Sequence, residues 1–205
     1  MFFLLFISKC SSLAQLVDQN YTSKRAFSLY LGALNDPNAT GSFIIGGVDR
    51  AKSAGPVMVL PMTPDGIGAP LYYPTYTSLS VTTADNTTLN FNVSSSSVWL
   101  DTGNPWWALP DPVFEYVTEN LLGISPAMAQ NSSFGPPYAV DCSTLDAEEI
   151  VNVGFAEGTI NVPLKGIVQK NGTYGCVVNL LKGQGPFGNP FISNISRLLM
   201  WITRR

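Results

Sequence analysis

The 205-residue chain contains no histidine. That absence removes the Ser–His and Cys–His nucleophile systems, in which an imidazole takes the nucleophile's proton. It also disfavours hydrolytic zinc sites, which usually draw on imidazole. Charge is scarce as well: Asp, Glu, Lys and Arg make up 12% of the residues, the net charge is −3 and the pI is about 4.8. An acidic chain without a basic cluster interleaved with aromatics does not fit a nucleic-acid surface. No apolar run is long enough to span a bilayer. Cysteine is sparse, with only Cys10, Cys142 and Cys176, and no internal repeat is evident.

What remains is carboxylate chemistry, and one tripeptide stands out. Asp101-Thr102-Gly103 occurs once, after the apolar run Val98-Trp99-Leu100 and before Asn104-Pro105-Trp106-Trp107-Ala108-Leu109-Pro110. Alone, Asp-Thr-Gly describes an Asx-type turn at a strand end, with glycine free to take a positive φ. The flanks sharpen it. A carboxylate placed directly after Leu100 sits near a buried edge, where desolvation can raise a pKa. Acid–base proteolysis by carboxylates needs two such groups sharing one proton, so a single tripeptide is half of a site. The Glu148-Glu149 pair is not the other half, because adjacent residues point to different faces, and it reads as solvated surface. Of Trp106 and Trp107, one is expected to pack and the other to face a cleft.

Patterning predicts a strand-dominated chain. Ser11 to Asn20 carries a short amphipathic helix pattern. Strands are expected over 27–34, 42–48, 56–61, 71–81, 89–93, 150–155, 159–162 and 176–181, with turns at Asn35-Asp36-Pro37-Asn38 and Asp85-Asn86. A second helix is expected over 111–122, Asp111 serving as N-cap and Pro112 fitting the first turn, with a further turn around 144–148. Seven N-glycosylation sequons begin at Asn20, Asn38, Asn86, Asn92, Asn131, Asn171 and Asn194. Their density points to passage through the secretory pathway. The apolar start, Phe2 to Ile7, lacks a basic region and a small-residue cleavage site and makes a poor signal peptide.

At this point the residues carry a resemblance. Leu100-Asp101-Thr102-Gly103 followed by Leu109-Pro110 resembles the second active-site segment of pepsin-like aspartic proteases, especially the fungal secreted, yapsin-like type. Four further stretches agree in the family's order. Ala26 to Gly32 resembles the strand that crosses between lobes, and Gly41 to Asp49 the segment opening the carboxyl-terminal lobe. Tyr138-Ala139-Val140-Asp141-Cys142 with Gly175-Cys176 resembles the two halves of that lobe's disulfide. Phe187-Gly188-Asn189-Pro190-Phe191-Ile192 resembles a segment near the end of the fold. The likeness covers roughly residues 11 to 192. It departs at Asn104, where the family has Ser or Thr bonding the catalytic carboxylate, and at Asn189, where the family has Asp. The family's first Asp-Thr-Gly and its flap tyrosine have no counterpart here.

The resemblance implies an all-β fold: the carboxyl-terminal lobe of the bilobal pepsin-like acid protease fold, with short helices. The implied organisation is a leader over 1–10, an interlobe helix and strand over 11–40, the lobe over 41–195 and an unaligned tail over 196–205. The first nine residues and the last dozen read as foreign to the fold, as an incomplete gene model would leave them, and are expected to pack poorly. The implied activity is aspartic endopeptidase, peptidase A1 type, with Asp101 catalytic, Thr102, Gly103 and Asn104 shaping its loop, and Asn104 a hydrogen-bond partner. Thr102 offers a hydroxyl to cross-link two such loops. Cys142 and Cys176 are the implied disulfide, two free thiols being the alternative. No metal or organic cofactor is implied. The partners are a peptide or protein substrate and, for the other half of the cleft, an amino-terminal lobe or a second copy of the chain. The implied location is secreted, secretory or vacuolar. A non-catalytic secreted β-glycoprotein and a homodimer with one aspartate per subunit stand as alternatives.

Overall fold

The computed structural model describes residues 12–47, 58–60, 73–126, 137–195 and 198–201. Helix α1 (Ser12–Asp18) leads to strands β1 (Ala26–Tyr30) and β2 (Ser42–Ile45). The lobe follows: β3 (Thr75–Thr82), β4 (Thr88–Phe91), β5 (Ser96–Ser97), β6 (Trp99–Leu100), β7 (Trp107–Leu109) and helix α2 (Asp111–Glu115). Beyond it come β8 (Tyr138–Val140), β9 (Ile150–Phe155), β10 (Gly158–Pro163), β11 (Val168–Asn171), β12 (Gly175–Val178), β13 (Leu180–Lys182) and β14 (Pro186–Phe187). A single helical turn, α3 (Asn189–Ile192), precedes the last described strand, β15 (Leu198–Trp201). The expected all-β lobe with short helices is the fold observed.

Among the described residues the strands make four sheets. Three are ordered β15-β1-β2, β10-β9-β3-β4 with β5 beside β3, and β11-β12-β8. The fourth, β13-β7-β14-β6, carries the Asp101 loop. β3 is built from Thr, Tyr, Ser, Leu and Val, residues that suit a pleated surface, and sends Tyr76, Leu79 and Val81 into the core. The step from Tyr76 to Leu79 breaks strict alternation because the register against β9 shifts between Tyr76 and Ser78. Such an irregularity moves side chains to the other face without ending the strand. The β3–β4 hairpin turns at Asn86, which takes φ +64°, a conformation Asn tolerates better than most residues.

Under the fourth sheet lies an aromatic layer. Phe187 and Phe191 meet edge to face at 4.7 Å, and Trp107 lies 5.8 Å from Phe187 and 5.5 Å from Phe191. Tyr76 stacks on Phe187 at 6.1 Å and joins this layer to β3. All four residues are buried, and aromatic pairs contribute beyond their area when offset or edge-on.

Several expectations need correction. Trp107 to Leu109 form a strand, β7, that the patterning did not predict. Asp111 is not the N-cap, since Pro110 takes that place without a side-chain bond and Asp111 opens the helix. The helix then widens to a π-turn over Tyr116–Leu121, where the buried Thr118 hydroxyl donates to Phe114 O at 2.7 Å. A side chain that competes for a helix carbonyl favours such a departure. The tail, expected to pack poorly, supplies β15, which pairs with β1 from Leu29↔Leu198 to Ala26↔Trp201. The apolar stretch Leu198–Trp201 suits a strand, a pattern hidden by its lack of a family counterpart. The leader over 1–10 lies outside the described residues.

Cys142 and Cys176 form a disulfide with Cα atoms 5.2 Å apart. Asp141 precedes it and accepts from Ser143 N–H at 2.8 Å, capping the 3₁₀ turn Cys142–Asp146. That bond holds the Asp141 carboxyl below the usual carboxylate range. A depressed folded-state pKa contributes stability above the unfolded value and loses it as pH falls through the folded one, so this cap weakens as pH falls below the usual carboxylate range. The disulfide spans 34 positions, and a loop of that length is worth roughly 3–4 kcal/mol in the chain-entropy treatment. Replacing both cysteines by alanine is expected to lower unfolding free energy by about that amount, read from urea titration with the slope fitted freely, since a less constrained unfolded chain exposes more surface.

Candidate active site

β6 ends at Leu100, which is buried, and hands the chain to Asp101. The loop 101–106 then crosses to β7. Between β6 and β7 lies β14, parallel to the first and antiparallel to the second, so the loop arches over the end of β14. Three backbone bonds stitch the arch to the chain leaving β14. Asp101 N–H donates to Phe187 O at 3.3 Å, Gly188 N–H to Trp106 O at 3.0 Å, and Asn189 N–H to Asn104 O at 2.8 Å.

This crossing requires a glycine. A Cβ at position 188 would fall on the carbonyl oxygens of Asn104 and Trp106, closer than any real side chain approaches. Gly188 does not sit at positive φ; its φ is −87°, so the need is for space and not for an unusual backbone conformation.

Asp101 is 9% exposed, in line with the buried edge expected of it. Its Oδ1 accepts from Gly103 N–H at 3.0 Å, and Asn104 N–H closes the turn onto Asp101 O at 3.1 Å. Among the described residues no Lys or Arg pairs with it; the ion pairs are Arg25–Asp18, Lys182–Asp111 and Lys182–Glu115. Thr102 is half-buried and Gly103 is exposed.

Asn104 does not hold the carboxylate. Its side-chain oxygen accepts from Trp106 N–H at 2.9 Å, which fixes the loop's own shape, and among the described residues no bond joins its amide to Asp101. The hydroxyl the family places here is short enough to reach the neighbouring carboxylate. The longer Asn side chain instead satisfies a local backbone donor. Of the tryptophans, Trp107 is fully buried in the aromatic layer and Trp106 is half-buried at the loop's end. Reasoning from sequence missed the part played by residues 187–189 in framing the loop, although the Gly after an apolar Phe was a signal of close backbone approach. Among the described residues no group of three or more Asp, Glu or Cys is arranged to hold a metal ion. The sequon at Asn131 lies outside the described residues.

An all-β lobe presenting one aspartate on a glycine turn is the pepsin-like class. The chain matches the eukaryotic aspartyl protease family over residues 7–195 and belongs to it. It is similar to Candidapepsin-1 of Candida albicans (strain WO-1), 30% identical over 131 residues, covering 63% of this chain and 29% of that protein. It is also similar to Secreted aspartic protease 10 of Candida albicans (strain SC5314 / ATCC MYA-2876), 26% identical over 157 residues, covering 75% of this chain and 30% of that protein. The matched stretch thus spans under a third of the length of these relatives.

Gly188→Ala is expected to cost about 1–3 kcal/mol, the usual range for forced overpacking, and to loosen the Asp101 loop. Gly172→Ala, at an open position with no neighbouring heavy atom and no positive φ, should change stability by less than about 0.5 kcal/mol. Thermal melts of the two variants check the contrast, and equal melting temperatures would remove Gly188 from its role.

Proposed function

We propose that Asp101 supplies one of the two carboxylates of a pepsin-like aspartic endopeptidase, with Thr102, Gly103 and Asn104 forming its loop. The observation that carries this reading is the uncompensated, nearly buried carboxylate on a turn fixed by three backbone bonds. In the complete site one aspartate is ionised and one protonated. The ionised group takes a proton from a water lying between them as that water attacks the peptide carbonyl, and the protonated group donates to the carbonyl oxygen. Roles split in this way need two groups, and the sequence holds Asp-Thr-Gly once. The second carboxylate comes from another lobe or from a second copy of the chain.

The division into an interlobe element over 11–40 and a lobe over 41–195 belongs to the same reading. On the β1–β2 sheet, Phe27 and Leu29 pair with Ile45 and Phe43 and share a face with them. Phe43 and Ile45 are 58% and 42% exposed, which suits strands that serve a sheet between lobes. The names of the relatives include secreted aspartic proteases; with the sequons, this supports a secretory route for this chain. A peptide or protein is the substrate class.

An acid-pH peptide cleavage assay across a concentration series tests the reading, with Asp101→Ala as control. The purified chain is expected to show no cleavage that is linear in its concentration. Cleavage rising with the square of concentration and abolished by Asp101→Ala would assign the second carboxylate to another copy. Linear cleavage that the substitution abolishes would refute the need for a second aspartate.

A further inference from the structure

We propose that Asn194 is a backbone clamp closed to glycan, and that Asn20, Asn38, Asn86, Asn92 and Asn171 are the sequon positions open to it. The acceptor half rests on the secretory reading above; the clamp half stands on geometry alone. Oligosaccharide transfer joins Nδ2 of the asparagine to the anomeric carbon of a lipid-linked donor sugar. It breaks that carbon's bond to the diphosphate leaving group and releases one amide proton. The product amide keeps its Oδ1 but has one N–H in place of two. A sequon asparagine whose fold uses only Oδ1 therefore tolerates the modification, and one whose fold uses both N–H groups does not.

Asn194 uses both. Its Nδ2 donates to Gly166 O at 3.0 Å and to Pro190 O at 2.8 Å, and the residue is half-buried. Gly166 is shaped to it, since a Cβ there would overlap the Asn194 amide. The clamp ties α3 to the 3₁₀ turn Leu164–Gly166, just after the residues that stitch down the Asp101 loop. A sugar on Nδ2 would remove one of these bonds and push the amide out of its seat. Asn171 is the opposite case. Its Oδ1 accepts from Thr173 N–H at 2.9 Å and Tyr174 N–H at 3.1 Å, while among the described residues its Nδ2 donates to none. Asn20 and Asn86 stand at exposed turns with φ +62° and +64°, and Asn38 and Asn92 are exposed.

Transfer precedes folding, so the fold acts by selection: chains modified at Asn194 cannot form the clamp and are not expected in the folded, secreted fraction. The chain would be expressed in a eukaryotic secretory host and the folded monomer deglycosylated in heavy-oxygen water, which marks each formerly occupied asparagine. Label is expected at the five open positions and absent at Asn194; label at Asn194 in folded monomer overturns the clamp. Two variants separate sequon from amide. Ser196→Ala destroys the sequon and should change neither glycan mass nor melting temperature. Asn194→Asp keeps the shape but removes both donors, and is expected to lower the melting temperature by about 4–8 °C. An Asn194→Asp chain as stable as the parent, or a Ser196→Ala chain of lower glycan mass, refutes the proposal. A chain carrying no glycan anywhere overturns the secretory reading and the acceptor assignment together, while the melting comparison still decides the clamp.

Discussion

The structure around Asp101 depends on one close approach, the passage of the backbone at Gly188 beneath the carbonyls of Asn104 and Trp106. Sheet order explains why. β14 is inserted between the two strands that the Asp101 loop connects, so the loop must cross whatever leaves β14. With no side chain at 188 the two segments come near enough for hydrogen bonds on either side of the crossing. The loop's polar groups are then paired with backbone, as burial demands. Few side chains could do the same work, since a side-chain bond would add rotatable torsions between the two segments.

The aromatic layer is the other half of that arrangement. Phe187 enters the layer from the strand that frames the loop, Trp107 from the strand that receives it, and Phe191 from the turn that follows Gly188. Three elements around the Asp101 loop, β14, β7 and α3, therefore bury a large ring in one common place. Moving any of these segments would open a void beneath the loop, and interiors packed at crystal-like density yield little to such shifts. The carboxylate is positioned by packing from below and by backbone bonds from the side, and neither depends on a charge partner.

Much of this was legible in the sequence. The tripeptide, its apolar approach through Leu100 and the Gly after Asp101 marked the site, and Thr- and Val-rich stretches marked β3 and β9. What was not legible came from contacts between distant segments. The framing of the Asp101 loop depends on residues 187–189, which no local pattern joins to it. Asn104 turned to Trp106 N–H because a nearby backbone donor was open, a choice made by loop geometry. Trp107 as a strand residue followed from pairing with β13 and β14, since short edge-less strands carry too few residues for a period to show. β15 was missed because its strand pattern is short and its register is supplied by β1. The dual use of Asn194, sequon by sequence and clamp by structure, is visible only when its two acceptors are in place.

A lobe of this kind separates stability from chemistry. Its core, its disulfide and the frame of the Asp101 loop are built from contacts among the described residues. Proton transfer is different. A single carboxylate at a given pH is ionised or protonated and cannot serve as base and acid in one step. The loop supplies Asp101 with a backbone donor from Gly103, and among the described residues no cation pairs with it. In the two-aspartate site proposed above, placement is therefore a property of this chain and acid–base function a property of the pair.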